Sequence, residues 1–289
     1  MNRLSKQRIA QNFSRASAGY EQSAVLQNTV AERMLSRLDL VTVSPDTIID
    51  AGAGTGRAAR MLAKRYKRAR VLQVDLSAAM LSHSRNNTPR FFSRQFFVCG
   101  DVENMPLASH CCQLLFSSMT YQWCNDLDAA FTEATRLLQP NGLFMFATLG
   151  PDTLKELRES WATVDDIEHV NTFMDMHDIG DAVVRAGLEN VVMDVEIITV
   201  QYPDCYTLMR DIKHIGAGNT LAGRMRGLTG KERLQKMIRA YENYRQDDYL
   251  PATYEIVYGH AWVPLQGVQH KQDGETFISI NNIGGRRGS

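Results

Sequence analysis

No apolar run in the 289 residues approaches the roughly 18 that a membrane-spanning helix needs. The opening residues, Met1-Asn2-Arg3-Leu4-Ser5-Lys6-Gln7-Arg8, carry no apolar core behind their charges, so a signal peptide is not expected. The five cysteines (Cys99, Cys111, Cys112, Cys124, Cys205) contain no C-x-x-C pair. An odd thiol count without an export signal points to a reducing cytoplasm, and it disfavours both a zinc site and a disulfide scaffold. Neither sign of charge is in excess, with 32 Lys and Arg against 32 Asp and Glu. That balance argues against a general nucleic-acid or membrane-surface binder, though not against a local patch. There is no internal repeat. What the chain does have is 44% hydrophobic residues, enough for a sizeable core, in a length that suits one large domain or two small ones.

Up to residue 149 the patterns alternate between strand and helix, which predicts an α/β fold with a parallel sheet and helices on both faces. Strands are expected at 47–50, 70–75, 95–99, 113–117 and 143–149. Helices are expected at 22–40, 55–66, 77–86 and 126–138, the third N-capped by Ser77. Beyond residue 150 the patterns predict helices within 151–170 and at 173–186, a strand at 190–201, a helical insertion over 204–245 and a last strand at 253–262. The polar stretch 265–289 reads as a disordered tail.

Asp50-Ala51-Gly52-Ala53-Gly54-Thr55-Gly56 lies between a predicted strand and a predicted helix. Its glycines let the backbone pass close to a ligand, and the helix start offers free N–H groups. The spacing is G-x-G-x-G rather than the dinucleotide G-x-G-x-x-G, and an acid precedes it. That acid disfavours a pyrophosphate and suits a positive group such as an amino-acid ammonium. Asp75 ends the second strand nineteen residues after Gly56, where an acid can accept both hydroxyls of a ribose. Gly100-Asp101-Val102 ends the third strand, where Asp101 can accept from an adenine amino group and the next N–H can meet a ring nitrogen. Three such signals fall at the carboxyl ends of successive strands, the edge at which open α/β sheets bind ligands.

On these residues the chain resembles the class I methyltransferases. The resemblance implies a Rossmann-like seven-stranded sheet whose last strand is antiparallel. It implies S-adenosyl-L-methionine as cofactor, bound by Asp50, Gly52, Ala53, Gly54, Gly56, Asp75, Leu76, Asp101, Val102 and Ser117. Many class I members have Cys where this chain has Ala53, a position that contributes mainly backbone. Five further stretches (13–20, 122–124, 150–158, 175–181 and 252–262) resemble the malonyl-[acyl-carrier protein] O-methyltransferases of biotin synthesis. That resemblance spans nearly all of residues 1–264. It implies a helical lid over 1–44 and a methyltransferase domain over 45–264 with insertions near 151–171 and 204–245. The implied substrate is the free carboxylate of a malonyl group on an acyl carrier protein or coenzyme A, with no metal, nucleic acid or membrane involved.

A carboxylate, with a pKa of about 4, is already ionised at neutral pH and needs no general base. It needs orientation and removal of water. Candidate donors are Tyr20, Gln122, Trp123, Arg158, His177, Arg210 and His214, of which Tyr20, Trp123, Arg158 and His177 are the expected site residues. Each also has a plainer reading: Tyr20 as an amphipathic lid residue, Trp123 as buried bulk, Arg158 paired with an acid, His177 bonded to its own helix. From Arg57 to Arg70 there are seven basic residues and no acid, which fits a solvated helix face. From Thr207 to Arg245 nine basic residues face three acids, a local charge of +6 suited to an acidic carrier protein. Two other functions stand as alternatives: methylation of another small molecule such as a quinone precursor, and a non-methylating, partner-binding role, because the C-terminal motifs also resemble a mitochondrial respiratory complex I assembly factor of this fold.

Overall fold

The computed structural model describes residues 4–89, 93–215, 230–265, 270–272 and 275–277. In chain order the helices are α1 (Lys6–Ala16), α2 (Tyr20–Ser23), α3 (Val25–Arg37), α4 (Arg57–Arg65), α5 (Ala78–Asn86), α6 (Leu127–Leu137), α7 (Lys155–Ala162), α8 (Met176–Arg185), α9 (Cys205–His214) and α10 (Lys231–Tyr241). The strands are β1 (Thr47–Ala51), β2 (Arg70–Asp75), β3 (Gln95–Cys99), β4 (Cys112–Ser118), β5 (Leu138–Leu149), β6 (Glu189–Tyr202), β7 (Leu250–Trp262), β8 (His270–Gln272) and β9 (Glu275–Phe277).

Seven strands form one sheet in the order β3-β2-β1-β4-β5-β7-β6. The pairs among β1 to β5 are parallel, and β7 runs antiparallel between β5 and β6. Every residue of β1 is buried, as expected of a central strand covered on both faces. One apolar cluster fills the side facing α3, α4, α7 and α10, and a second fills the side facing α6 and α8. The strand order reverses between β1 and β4, and that switch point sets where a ligand can enter at the carboxyl edge.

The expected helix over 22–40 is divided. Ala24 leaves helical geometry between α2 and α3, and Leu38–Leu40 forms a separate 3-10 turn. Pairing of β5 begins directly after α6, five residues before the expected strand, and runs through a turn at Asn141 with φ +60°. The 204–245 insertion contains α9 and α10, while its residues 216–229, Arg224 and Arg226 among them, lie outside the described residues. Of the 265–289 tail, Leu265 and the paired β8 and β9 are described, and the rest lies outside. No described helix is long and apolar enough to cross a membrane.

Candidate active site

β1 ends in the glycine turn because three of its positions need left-handed backbone: Gly52, Gly54 and Gly56 have φ of +77°, +55° and +80°. A side chain at Gly52 would collide with Thr120, and one at Gly56 with Ser84 and Gln73. Gly54 has open space, and its N–H donates to Asp75 Oδ2 at 2.8 Å. The Ser77 N–H donates to Asp75 Oδ1 at 2.8 Å, so the end of β2 and the start of α5 are fixed by one carboxylate. Burial pushes the Asp75 pKa up, against the pull of these two N–H donors. Asp50 lies beneath the turn, 1% exposed, with Oδ2 unpartnered. Burial, with the Asp75 charge nearby, pushes its pKa up to about 7.

A cavity of about 620 Å³ opens above these strand ends. Of the residues named from the sequence, Gly52, Gly54, Asp75, Leu76, Asp101 and Val102 line it. Asp50, Ala53, Gly56 and Ser117 stand behind the lining. Ser117 is fully buried and donates to Ala51 O at 2.8 Å, tying β4 to β1, and its neighbour Ser118 faces the cavity instead. Sequence reasoning missed Lys6, Ile9 and Phe13, which α1 turns toward the cavity. Their spacing of three and four residues was the available signal. Lys6 Nζ bonds Asp101 at 2.9 Å and Glu103 at 3.0 Å, and Ser14 Oγ meets Ser77 Oγ at 2.9 Å, so α1 is fastened across the opening.

S-adenosylmethionine fits this donor set. Asp75 and Asp101 are acceptors for a cofactor that presents hydroxyl and amino donors. The unpartnered oxygen of Asp50 adds negative character for its cationic groups. No cluster of three or more metal-ligating side chains occurs among the described residues.

A second cavity, of about 780 Å³, lies against the first. Phe13, Tyr20, Met119 and Trp123 line both and form the partition between them. Phe13 sets its ring edge-to-face on Trp123 at 5.5 Å and on Tyr20 at 6.3 Å. Burial and the Asp75 charge push the Tyr20 phenol far above its ordinary value, so it remains a donor at neutral pH. Gln122 also lines the second cavity, its Nε2 donating to Met119 O at 2.7 Å and its Oε1 accepting from Thr148 at 3.3 Å. The remaining wall comes from α3, β5, α7, the 163–175 loop, α9 and β7.

The other expected donors lie elsewhere. Arg158 lines neither cavity: its guanidinium donates to Pro151 O at 2.6 Å and Thr153 O at 3.3 Å, bracing the turn before α7. His177 is exposed at the start of α8, with Nδ1 2.9 Å from Asp175 Oδ1, and it lines neither cavity. Arg210 and His214 are exposed on α9, while Ile212 of the same helix and Ile215 just after it line the second cavity.

Residues 49–146 match the family model described as a methyltransferase domain. The malonyl-[acyl-carrier protein] O-methyltransferase of Laribacter hongkongensis is 49% identical over 284 residues, covering 96% of each chain. That of Gallionella capsiferriformans is 47% identical over 283 residues, covering 96% of this chain and 97% of the other. Among solved structures, the YcgJ protein of Bacillus subtilis superposes with a TM-score of 0.58 at 14% identity, covering 81% of this chain and 99% of that one. Similarity at this level over nearly the whole length places the chain in the malonyl-[acyl-carrier protein] O-methyltransferase family, a class I methyltransferase using S-adenosylmethionine.

Proposed function

We propose that the protein methylates the free carboxylate of a malonyl group carried as a thioester on an acyl carrier protein, an early step of biotin synthesis. The observation that carries this reading is the pair of adjoining cavities with a shared wall of Phe13, Tyr20, Met119 and Trp123. One cavity is built for the cofactor, and the other leads an acceptor to the same partition. Bound S-adenosylmethionine supplies an electrophilic methyl group. The chain's own part is to orient the carboxylate, exclude water and donate hydrogen bonds.

Tyr20 and Trp123 stand at the partition as donors, and the hydrogen bonds of Gln122 to Met119 and Thr148 hold its amide in place beside them. Segment 1–44 acts as the lid, with α1 closing the cofactor side and α2 placing Tyr20 at the junction. Arg60 ties α2 to the fold through Glu21 at 2.7 Å. No side chain in this arrangement need take a proton, because a carboxylate with a pKa of about 4 arrives ionised.

The carrier protein docks on α9 and α10 in this reading. α9 turns Ile212 to the cavity and exposes Arg210 and Lys213, while α10 exposes Lys231, Lys236 and Arg239. An acidic partner would be steered to that face. Five free cysteines support a reducing compartment, the cytoplasm.

Transfer of labelled methyl to malonyl-carrier protein, with malonyl-coenzyme A and a quinone precursor alongside, tests the reading. Label on the malonyl thioesters alone is expected. A chain that binds cofactor yet labels neither thioester overturns it. The rate of methyl transfer should stay level between about pH 6 and 9, apart from any histidine donor titrating near 6.5, whereas a rise with a pKa near 8–10 would mark a phenolic acceptor.

A further inference from the structure

Five buried side-chain polar atoms lack a hydrogen-bond partner among the described residues, and two of them belong to residues lining the second cavity: Gln27 Oε1 on α3 and Asn171 Oδ1 in the loop after α7. Folded proteins leave few such atoms, and each one calls for a reason. Both are amide oxygens, so what each lacks is a donor. The described lining holds no Lys or Arg that could turn to them. Other polar groups of the wall are already engaged. Gln122 bonds Met119 O and Thr148, and Thr153 Oγ1 donates to Glu255 O at 3.2 Å while accepting the Glu255 N–H at 3.1 Å. The terminal torsion of an amide side chain is broad, so either unpartnered oxygen can turn to a donor held in the cavity. The wall reaches from the partition at Tyr20 and Trp123 to Ile212 and Ile215, beside the exposed Arg210 and Lys213 of α9.

We propose that Gln27 and Asn171 bind the pantetheine arm of the substrate, each oxygen accepting one of the arm's amide N–H groups. The inference rests on the methyl-transfer reading above. The malonyl thioester itself offers only acceptors: the carboxylate oxygens, the thioester carbonyl and the sulfur. It can satisfy neither unpartnered oxygen. The arm that carries it, the same on an acyl carrier protein and on coenzyme A, brings two secondary amides along a chain of methylenes. Such a chain suits a mostly apolar wall with a few placed polar groups, and Leu26, Leu157 and Val170 supply apolar surface beside the two amides. A carrier docked on α9 would thread its arm past Ile212 and deliver the carboxylate to the partition. Gln27 and Asn171 thereby set specificity: a thioester with this arm gains contacts that a bare carboxylate or a quinone-type acceptor does not.

Steady-state kinetics with malonyl-pantetheine and with malonyl propyl thioester, which lacks both amides, test this in wild type, Gln27→Met and Asn171→Leu. Both substitutions nearly keep side-chain size and remove the acceptor. Wild type should favour malonyl-pantetheine in kcat/KM by about 10- to 100-fold. Each substitution should lower kcat/KM for malonyl-pantetheine about 5- to 10-fold, the scale of one lost hydrogen bond with an amide left unpaired. Malonyl-carrier protein and malonyl-coenzyme A share the arm and should lose by the same factor, whereas a weakened docking surface would spare coenzyme A. For the propyl thioester the loss should shrink to within about twofold. Should that thioester turn over too slowly to follow, its inhibition of malonyl-pantetheine turnover gives the same comparison. Cofactor affinity by calorimetry should hold, and the urea midpoint should hold or rise, since an unsatisfied oxygen has gone. Unchanged kcat/KM for malonyl-pantetheine in both variants overturns the inference. Equal losses on the two thioesters, the mark of a damaged cavity, overturn it as well, as does a wild type indifferent to the amides. Should one variant fail to bind cofactor, the same comparison in the other decides. A wild-type chain that binds cofactor and leaves every malonyl thioester unmethylated removes the functional reading and this inference with it. Normal wild-type turnover alongside two indifferent variants removes the inference alone.

Discussion

The two cavities are built by different means. The first cavity lies at the carboxyl ends of β1, β2, β3 and β4, where Gly52, Gly54 and Gly100 line it beside side chains such as Asp75 and Met80, and α1 crosses its opening. Its chemistry sits in short stretches: 50–56, 75–76, 100–102 and 118–120. The second cavity has no glycine in its lining and is walled by side chains from short stretches spread between Phe13 and Tyr254. A site that hangs on a glycine turn tolerates few substitutions there and depends on spacing. A site built from side chains is assembled by packing, so its specificity can be retuned one residue at a time.

Gly56→Ala should show the largest effect, because it attacks the glycine turn. A methyl group there meets Ser84 and Gln73, and the residue must keep φ +80°. Overpacking and left-handed strain together should cost about 3 kcal/mol in urea unfolding, with cofactor binding impaired. An equal loss from alanine at Gly54, which has open space, would break the comparison. Asp75→Ala should weaken S-adenosylmethionine about 10- to 100-fold by calorimetry, from loss of a charged acceptor. Unchanged affinity would remove Asp75 from the site. Reversing Arg210, Lys213, Lys236 and Arg239 to Glu should raise KM for malonyl-carrier protein about 5- to 10-fold and spare malonyl-coenzyme A. Added salt should reproduce the loss, since exposed charges are screened beyond about 10 Å at 0.1 M. The smallest effect belongs to His177→Ala, which should leave kcat/KM unchanged and stability within about 0.5 kcal/mol, as for an exposed surface position. A large loss of activity there would bring α8 back into the site.

The same contrast decides what could be read in advance. Strand patterns, the glycine spacing and the acids Asp75 and Asp101 are local signals, and the residues they single out meet at the first cavity. Ser117, named on the resemblance alone, turns its side chain inward to Ala51, and Ser118 is the neighbour that lines the cavity. Arg158 and His177 looked available because their partners are not visible as patterns: two backbone carbonyls for one, the preceding Asp175 for the other. Asn171 and Gln27 carried no signal of their own. Their meeting depends on how α3 and the loop after α7 pack over the sheet. The break at Ala24 was hidden too, with neither glycine nor proline to mark it.

The last described strand of the large sheet, β7, is also the partner of two strands made well before it. It pairs with β5 from Leu143↔Trp262 to Leu149↔Ile256, and with β6 along nearly its whole length. The turn before α7 hangs from it as well, through Gly150 N–H to Glu255 O at 2.9 Å and Leu154 N–H to Thr253 O at 2.6 Å. During synthesis, then, the half that grips the cofactor can form its parallel strands early, while β6 waits with no strand at its side. Contacts this distant along the chain form slowly, and an open strand edge invites association with other chains. A chain cut short before Leu250 would keep its glycine turn and lose both the closing strand and the anchor of its substrate wall. Its expected fate is aggregation rather than a methyltransferase with altered specificity.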